Sequence, residues 1–234
     1  MAWDPAWFEA EGAIANRTMV AWRGVEAQHV VSTMRLVDTP QEQDLLEQLL
    51  EASKPPLPLA AQPKHYLLAT PFRYSPAHES RFRPAHGKGQ WYGAQNVYAA
   101  CAEVAYWRHR FILDSAGLLD QVVLTEHSFF QAVLEGASID LMEPPWVQAR
   151  DDWTHASDYR ANHAVASEAQ RRNVQWLSYE SARAQGERCA VAFDVDSLYE
   201  PAQGLDRTIE RWVCKASRSS VMVAREKETF VWEF

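Results

Sequence analysis

Between Pro71 and Phe111 the sequence reads "PFRYSPAHESRFRPAHGKGQWYGAQNVYAACAEVAYWRHRF" and gathers Arg73, Arg81, Arg83, Arg108 and Arg110 among several rings. Guanidinium groups hold phosphate oxygens in paired, charge-assisted hydrogen bonds. Arg81 and Arg83 alternate across Phe82, so in an extended segment both point to one side. Arg73 with Tyr74 adds a further cation and ring, and Tyr92 follows the turn "GKGQW". A ring beside arginines can stack on a base or a nicotinamide, although a solvated strand edge and a core tyrosine are the plainer alternatives. In the same stretch Glu103 has Ala99, Ala100, Tyr106 and Trp107 at helical offsets of three and four, with no cation among them. A carboxylate in that setting is partly desolvated unless a distant group pairs with it. The alternative is a surface glutamate beside half-buried rings.

Ser181, in "YESAR", follows an apolar run and precedes Arg183. It is not in a G-x-S-x-G elbow, so its hydroxyl is expected to orient a ligand or another catalytic group, or only to cap a turn. The eight histidines show no H-x-x-x-H or H-E-x-x-H spacing, and no metal site is expected. The glycine fingerprints of dinucleotide-binding and P-loop folds are both missing. Cys101, Cys189 and Cys214 are odd in number and far apart, which argues against a disulfide framework.

These residues need elements to position them. "VDTPQEQDLLEQLLEASKPPLP" predicts a helix with Thr39 as cap, Pro40 in the first turn and Glu42 completing a capping box. Leu45, Leu46, Leu49 and Leu50 form its apolar stripe, and the prolines end it. That Pro-rich stretch divides the chain into an N-terminal extension, residues 1–63, packed on a core domain, residues 64–234. "HYLLATPFRY" reads as a strand, and "AQNVYAACAEVAYWRHRFIL" as a helix burying Val97, Cys101, Val104 and Ala105. "QVVLTEHSFFQAVLEG" reads as a strand turning into a short helix, and "SDYRANHAVASEAQRRN" as a helix capped by Ser157 or Asp158. "VQWLSY" and "RCAVAFDV" read as strands, and the tail as two or three antiparallel strands. The sum is mixed α and β with antiparallel character.

The 234 residues, 47% of them hydrophobic, suffice for a sizeable core. A net charge of −8 disfavours direct nucleic-acid binding, so any anionic ligand needs a local basic patch. There is no apolar run of membrane-spanning length and no signal-like N-terminus, so the cytoplasm is the expected compartment, without membrane association.

Four segments together resemble the RES domain, a family named for its arginine, glutamate and serine. "SRFR" resembles the family's G-R-W-N loop and places its arginine on Arg81. "QWYGA" resembles the segment of its tyrosine, Tyr92; "AACAEVAY" that of its glutamate, Glu103; and "YESAR" that of its serine, Ser181. An Arg-Tyr pair near the family's domain start resembles Arg73-Tyr74, with Arg23 in "AWRGVEAQ" a rival for that arginine. Phe82 and Arg83 stand where the family has Trp-Asn, and Glu180 where it has proline.

The resemblance implies an α+β fold like that of ADP-ribosyltransferases: two small, roughly perpendicular antiparallel sheets surrounded by helices, here with an N-terminal helical extension. It implies a toxin of a bacterial toxin–antitoxin pair that consumes NAD+ as a substrate, with no resident cofactor. The reaction would be hydrolysis, phosphorolysis or transfer of ADP-ribose to an acceptor protein. Glu103, Arg81 and Ser181 would be catalytic, and Arg73, Tyr74, Tyr92 and Arg83 would bind NAD+. The partner would be an Xre-like antitoxin, with a homodimer left open. A non-catalytic partner-binding module is the competing reading, since Arg and Trp are enriched at protein interfaces.

Overall fold

Strand β3, Val123–Asp140, is 18 residues long and organises the sheet. The computed structural model describes residues 3–27, 33 and 36–234. Along β3, Phe130, Ala132 and Leu134 are buried while the residues between them are less so. That period of two, rich in aromatic and branched residues, belongs to a strand, so the expected turn into a helix does not occur. Gly136, at φ 128°, occupies a backbone region closed to other residues as β3 passes from one set of partners to the next.

β3 pairs in antiparallel fashion with β1 (Ala15–Glu26) along its full length, from Ala15 opposite Ser138 to Glu26 opposite His127. The expected helical extension, residues 1–63, thus opens with a sheet strand whose burial alternates through Arg17, Met19 and Ala21, and is helical later, at Pro40–Ser53. The remaining strands are β2 (Trp91–Ala94), β4 (Trp176–Glu180), β5 (Arg188–Ala192), β6 (Leu198–Tyr199), β7 (Glu210–Ala216), β8 (Ser220–Arg225) and β9 (Glu228–Glu233). They join in the order β1-β2-β5-β4-β3-β7-β8-β9, with β6 on β3. Because β1 also pairs with β3, the first five strands of that order close into a ring. The expected pair of separate antiparallel sheets is thus one hydrogen-bonded sheet, with a parallel join between β3 and β4 at residues 138–140 and 176–178. Long β3 runs through both halves and so fuses them. The architecture is mixed α+β.

The α-helical segments among the described residues include α1 (Pro40–Ser53), α2 (Tyr66–Ala69), α3 (Val97–Leu113), α4 (Arg150–Trp153) and α5 (Arg160–Arg171). Helix α1 starts with the expected capping box between Thr39 and Glu42. Its leucines are not covered: Leu45, Leu49 and Leu50 are 55%, 59% and 40% exposed. The expected strand at "HYLLATPFRY" is instead α2 and a following 3₁₀ turn, Thr70–Arg73. His65 Nδ1 accepts the Leu67 N–H at 3.2 Å and caps α2. For α5 the N-cap position is Tyr159, with no side-chain cap, and not the expected Ser157 or Asp158; Asp158 Oδ1 accepts the Arg160 N–H at 3.1 Å from one residue further out.

Neighbouring strand residues enter opposite cores, as alternating side chains must. Phe129, Leu177 and Val191 join α3 in one cluster; Phe130, Trp176 and Ala190 join Leu68 and Trp91 in the other. The three cysteines are free and buried. No described helix is long and apolar enough to cross a membrane.

Candidate functional site

Helix α3 presents Ala99, Ala100, Cys101, Ala102 and Ala105 to the core, and these small residues let it lie close to the sheet. The approach is close at Gly24 on β1, where a Cβ would sit 2.5 Å from the Phe129 ring and 2.9 Å from Val104. Asn96 caps α3, its Oδ1 accepting the Ala99 N–H at 2.8 Å. The same side chain donates from Nδ2 to Glu187 Oε2 at 2.5 Å, tying the helix start to the β4–β5 turn. Ser181 opens that turn, its N–H bonded to the Glu187 carbonyl at 2.8 Å.

The turn thereby brings Ser181 to α3, where its Oγ donates to Glu103 Oε1 at 2.7 Å. The direction is fixed because the N–H groups of Arg183 and Ala184 both donate to that Oγ, each at 3.1 Å. Two lone pairs are occupied, and the proton is left for the carboxylate. Among the described residues Glu103 forms no ion pair. Burial first, and then the Glu103 charge, push the neighbouring Cys189 thiol well up. Glu180, which stands in place of proline, holds the turn by other means: it receives paired bonds from Arg150 Nε and Nη2, both 2.6 Å, and the Gly186 N–H at 2.7 Å. Burial is outweighed by the Arg150 bonds, and the Glu180 carboxyl stays below its ordinary pKa.

Glu103 lies in a cleft of about 490 Å³ between α3, β1, β2 and the loops around residues 80 and 159. That volume falls within the roughly 300–1,000 Å³ of small-molecule sites. Arg23, Arg81, Arg108 and Arg183 line it, against the carboxylates Glu26 and Glu103. An acidic chain has here a local excess of positive charge.

Arg81 is buried, its Nη1 donating to the carbonyls of Trp153 at 2.8 Å and His155 at 3.0 Å, with its guanidinium 5.0 Å above the Tyr159 ring. Tyr92 also lines the cleft, but its hydroxyl is committed. It donates to Gln90 Oε1 at 2.8 Å, accepts the Phe82 N–H at 3.2 Å and meets Ser80 Oγ at 2.9 Å. Tyr92 is a strut for the Arg81 loop, and burial pushes its pKa up to about 12.

Three expected ligand-binding residues do not line the cleft. Ser80 and Arg83 exchange backbone hydrogen bonds of 2.8 and 3.1 Å in a tight turn, so Arg81 and Arg83 do not share the face an extended segment would give them. Arg83 instead holds the carbonyls of Pro76, His78 and Pro84 at 2.8–3.2 Å. Arg73 pairs with Glu51 at 2.7 Å and donates to the Pro55 carbonyl, fastening the end of α1. Tyr74 serves through its carbonyl, which accepts the Gly89 N–H at 2.9 Å.

Of the two candidates for the first arginine, Arg23 is the one in the cleft. Its Nη1 donates to the Tyr92 carbonyl at 2.8 Å, and its Nε is buried with no partner. Burial draws its pKa down to about 10. An orphaned guanidinium N–H in a cleft wall fits an anion. Arg183, the last residue of the serine segment "YESAR", stacks 3.4 Å from the Tyr106 ring; its place two residues after Ser181 was its only signal in the sequence. His127 on β3 was likewise unsignalled: Nε2 meets Thr125 Oγ1 at 3.0 Å and Nδ1 has no partner. Burial, then Arg108, lowers its pKa to about 4. No cluster of metal-ligating side chains occurs among the described residues; His29 lies outside them.

No curated protein sequence matches the chain significantly. Among solved structures, the crystal structure of the M. tuberculosis MbcT–MbcA toxin–antitoxin complex contains a chain with this fold. The match has a TM-score of 0.50 and 14% identity, covering 93% of this chain and 95% of that one. The RES domain matches residues 56–212, which include Arg81, Tyr92, Glu103 and Ser181, and the chain belongs to the RES domain family.

Proposed function

We propose that this protein is the toxin of a toxin–antitoxin pair and cleaves the nicotinamide–ribose bond of NAD+. The observation that carries the reading is the Glu103 carboxylate, in no ion pair among the described residues and held at 2.7 Å by the Ser181 hydroxyl, inside a cleft lined by arginines. Membership of the RES family supports it, and so does the likeness to a fold solved in a toxin–antitoxin complex. As the bond to nicotinamide breaks, positive charge develops on the ribose, and a fixed carboxylate stabilises it electrostatically. Arg23 and Arg81 bind the pyrophosphate, with the Arg23 Nε supplying a donor that has no protein partner. Ser181 holds Glu103 in position. The bonding electrons leave with nicotinamide, and a nucleophile adds at the vacated ribose carbon. Water yields ADP-ribose and a proton, phosphate yields ADP-ribose phosphate, and a protein side chain yields an ADP-ribosylated acceptor. The local cleft resembles an ADP-ribosyltransferase site in this division of labour. An Xre-like antitoxin that covers the cleft is the proposed partner.

The test is purified protein incubated with NAD+, with and without phosphate, followed by product identification. Free nicotinamide is expected in both. Glu103→Gln keeps the shape and removes the charge, and should lower the rate by about 10²–10³ or more with an unchanged circular dichroism spectrum. Wild-type rates in that variant refute the assignment. In cells, making the chain without its antitoxin should lower NAD+ and arrest growth, and the variant should do neither.

A further inference from the structure

At the outer part of the cleft, α3 carries Trp107 and Phe111, which line the cavity yet remain 48% and 49% exposed. Glu103, Trp107 and Phe111 follow one another at four-residue spacing and so share one helix face. At a rise of ~1.5 Å per residue, Phe111 lies roughly 12 Å along the axis from Glu103. A ribose bearing only nicotinamide at Glu103 does not extend that far; a second nucleotide joined through a pyrophosphate does. Trp107 meets the Tyr106 ring nearly perpendicularly, with centroids 5.3 Å apart. Arg108 binds the Glu26 carboxylate and places its guanidinium 5.7 Å over the Phe111 ring. Exposed rings lining a cavity beside a neutralised ion pair are suited to a flat, uncharged group.

We propose that this outer part is the adenosine subsite. Trp107 and Phe111 stack the purine, Glu26 accepts from the hydroxyls of its ribose, and Arg108 holds Phe111 in place. The inference rests on the NAD+ reading and specifies which half of the substrate each part of α3 takes. Acceptance of ribose hydroxyls by Glu26 also disfavours a 2′-phosphate, which would meet a carboxylate.

The experiment is calorimetric titration of wild type and of Trp107→Ala/Phe111→Ala with AMP and, separately, with nicotinamide mononucleotide, alongside NAD+ turnover by wild type. Both replaced rings are about half exposed, so the variant is expected to fold. It should lose AMP affinity by roughly tenfold or more, as removal of stacking rings does. Its affinity for nicotinamide mononucleotide should be unchanged. Equal AMP affinity in the two proteins, or equal weakening of both probes, overturns the subsite. If wild type turns NAD+ over while AMP binding is insensitive to the rings, the subsite alone fails. If wild type neither binds nor consumes NAD+, the parent reading fails and the subsite with it.

Discussion

Ser181 and Arg23 show how one side chain can be read from its hydrogen bonds. The Ser181 hydroxyl receives two backbone N–H bonds and gives its one proton to Glu103. Ser181→Ala should therefore leave Glu103 unanchored, lowering kcat by roughly 10²-fold, as a small misplacement of a reacting group does, with KM nearly constant. It should also cost about 1–3 kcal/mol of stability, because two N–H donors lose their acceptor. Melting curves with kinetics separate the two effects. Arg23 and Arg73 differ in kind: one has a buried Nε without a partner in the cleft, the other is tied to Glu51 and Pro55. Arg23→Ala should raise KM for NAD+ about tenfold or more. Arg73→Ala should leave KM unchanged and reduce only the stability of the α1 attachment. A KM increase confined to Arg73→Ala would reverse this assignment. Glu103 was legible in the sequence because helical spacing exposed its missing cation. Arg73 misled because its partner, Glu51, is 22 residues away and only the tertiary fold joins them.

At the level of elements, helix α3 and the tail strands were legible because their signals are local: an Asn96 cap and apolar periodicity in one, short alternating runs in the others. Strand β1 and the unbroken length of β3 were not, because each is stabilised by the other across more than a hundred residues of chain. His127 lies in that shared ladder. Its folded pKa of about 4 is below the ordinary 6.5, with burial the main cause and Arg108 second. Between those values the unfolded chain binds the extra proton, so stability is complete above about pH 6.5 and declines as pH falls towards 4. Lowering pH from 7.5 to 5 should cost on the order of 2 kcal/mol through this residue. Denaturant midpoints of wild type and His127→Gln at both pH values isolate the contribution. Equal pH slopes in the two proteins would show that His127 is not its source.

For the whole molecule, the span matched by the RES domain, residues 56–212, omits β1 and the last two strands. β1 supplies 12 paired residues, closes the strand ring and brings Arg23 to the cleft. A fragment comprising residues 56–212 should therefore show no cooperative melting transition by circular dichroism, whereas the full chain melts cooperatively. A sharp transition in the fragment would mean that the ring is dispensable. Charge follows the same division between whole and part: the chain is acidic at −8, while four arginines against two glutamates make the cleft a local attractor for anions.

The ring also sets an order on birth. Arg23 leaves the ribosome early, Glu103 follows some eighty positions later, and Ser181 as far again beyond it. Strand β5, ending at Ala192, is the last member of the closed circuit. A nascent polypeptide interrupted between Glu103 and Ser181 carries an acid without its clamp. The strand ring, and with it the cleft around Glu103, is complete only once most of the chain has been made.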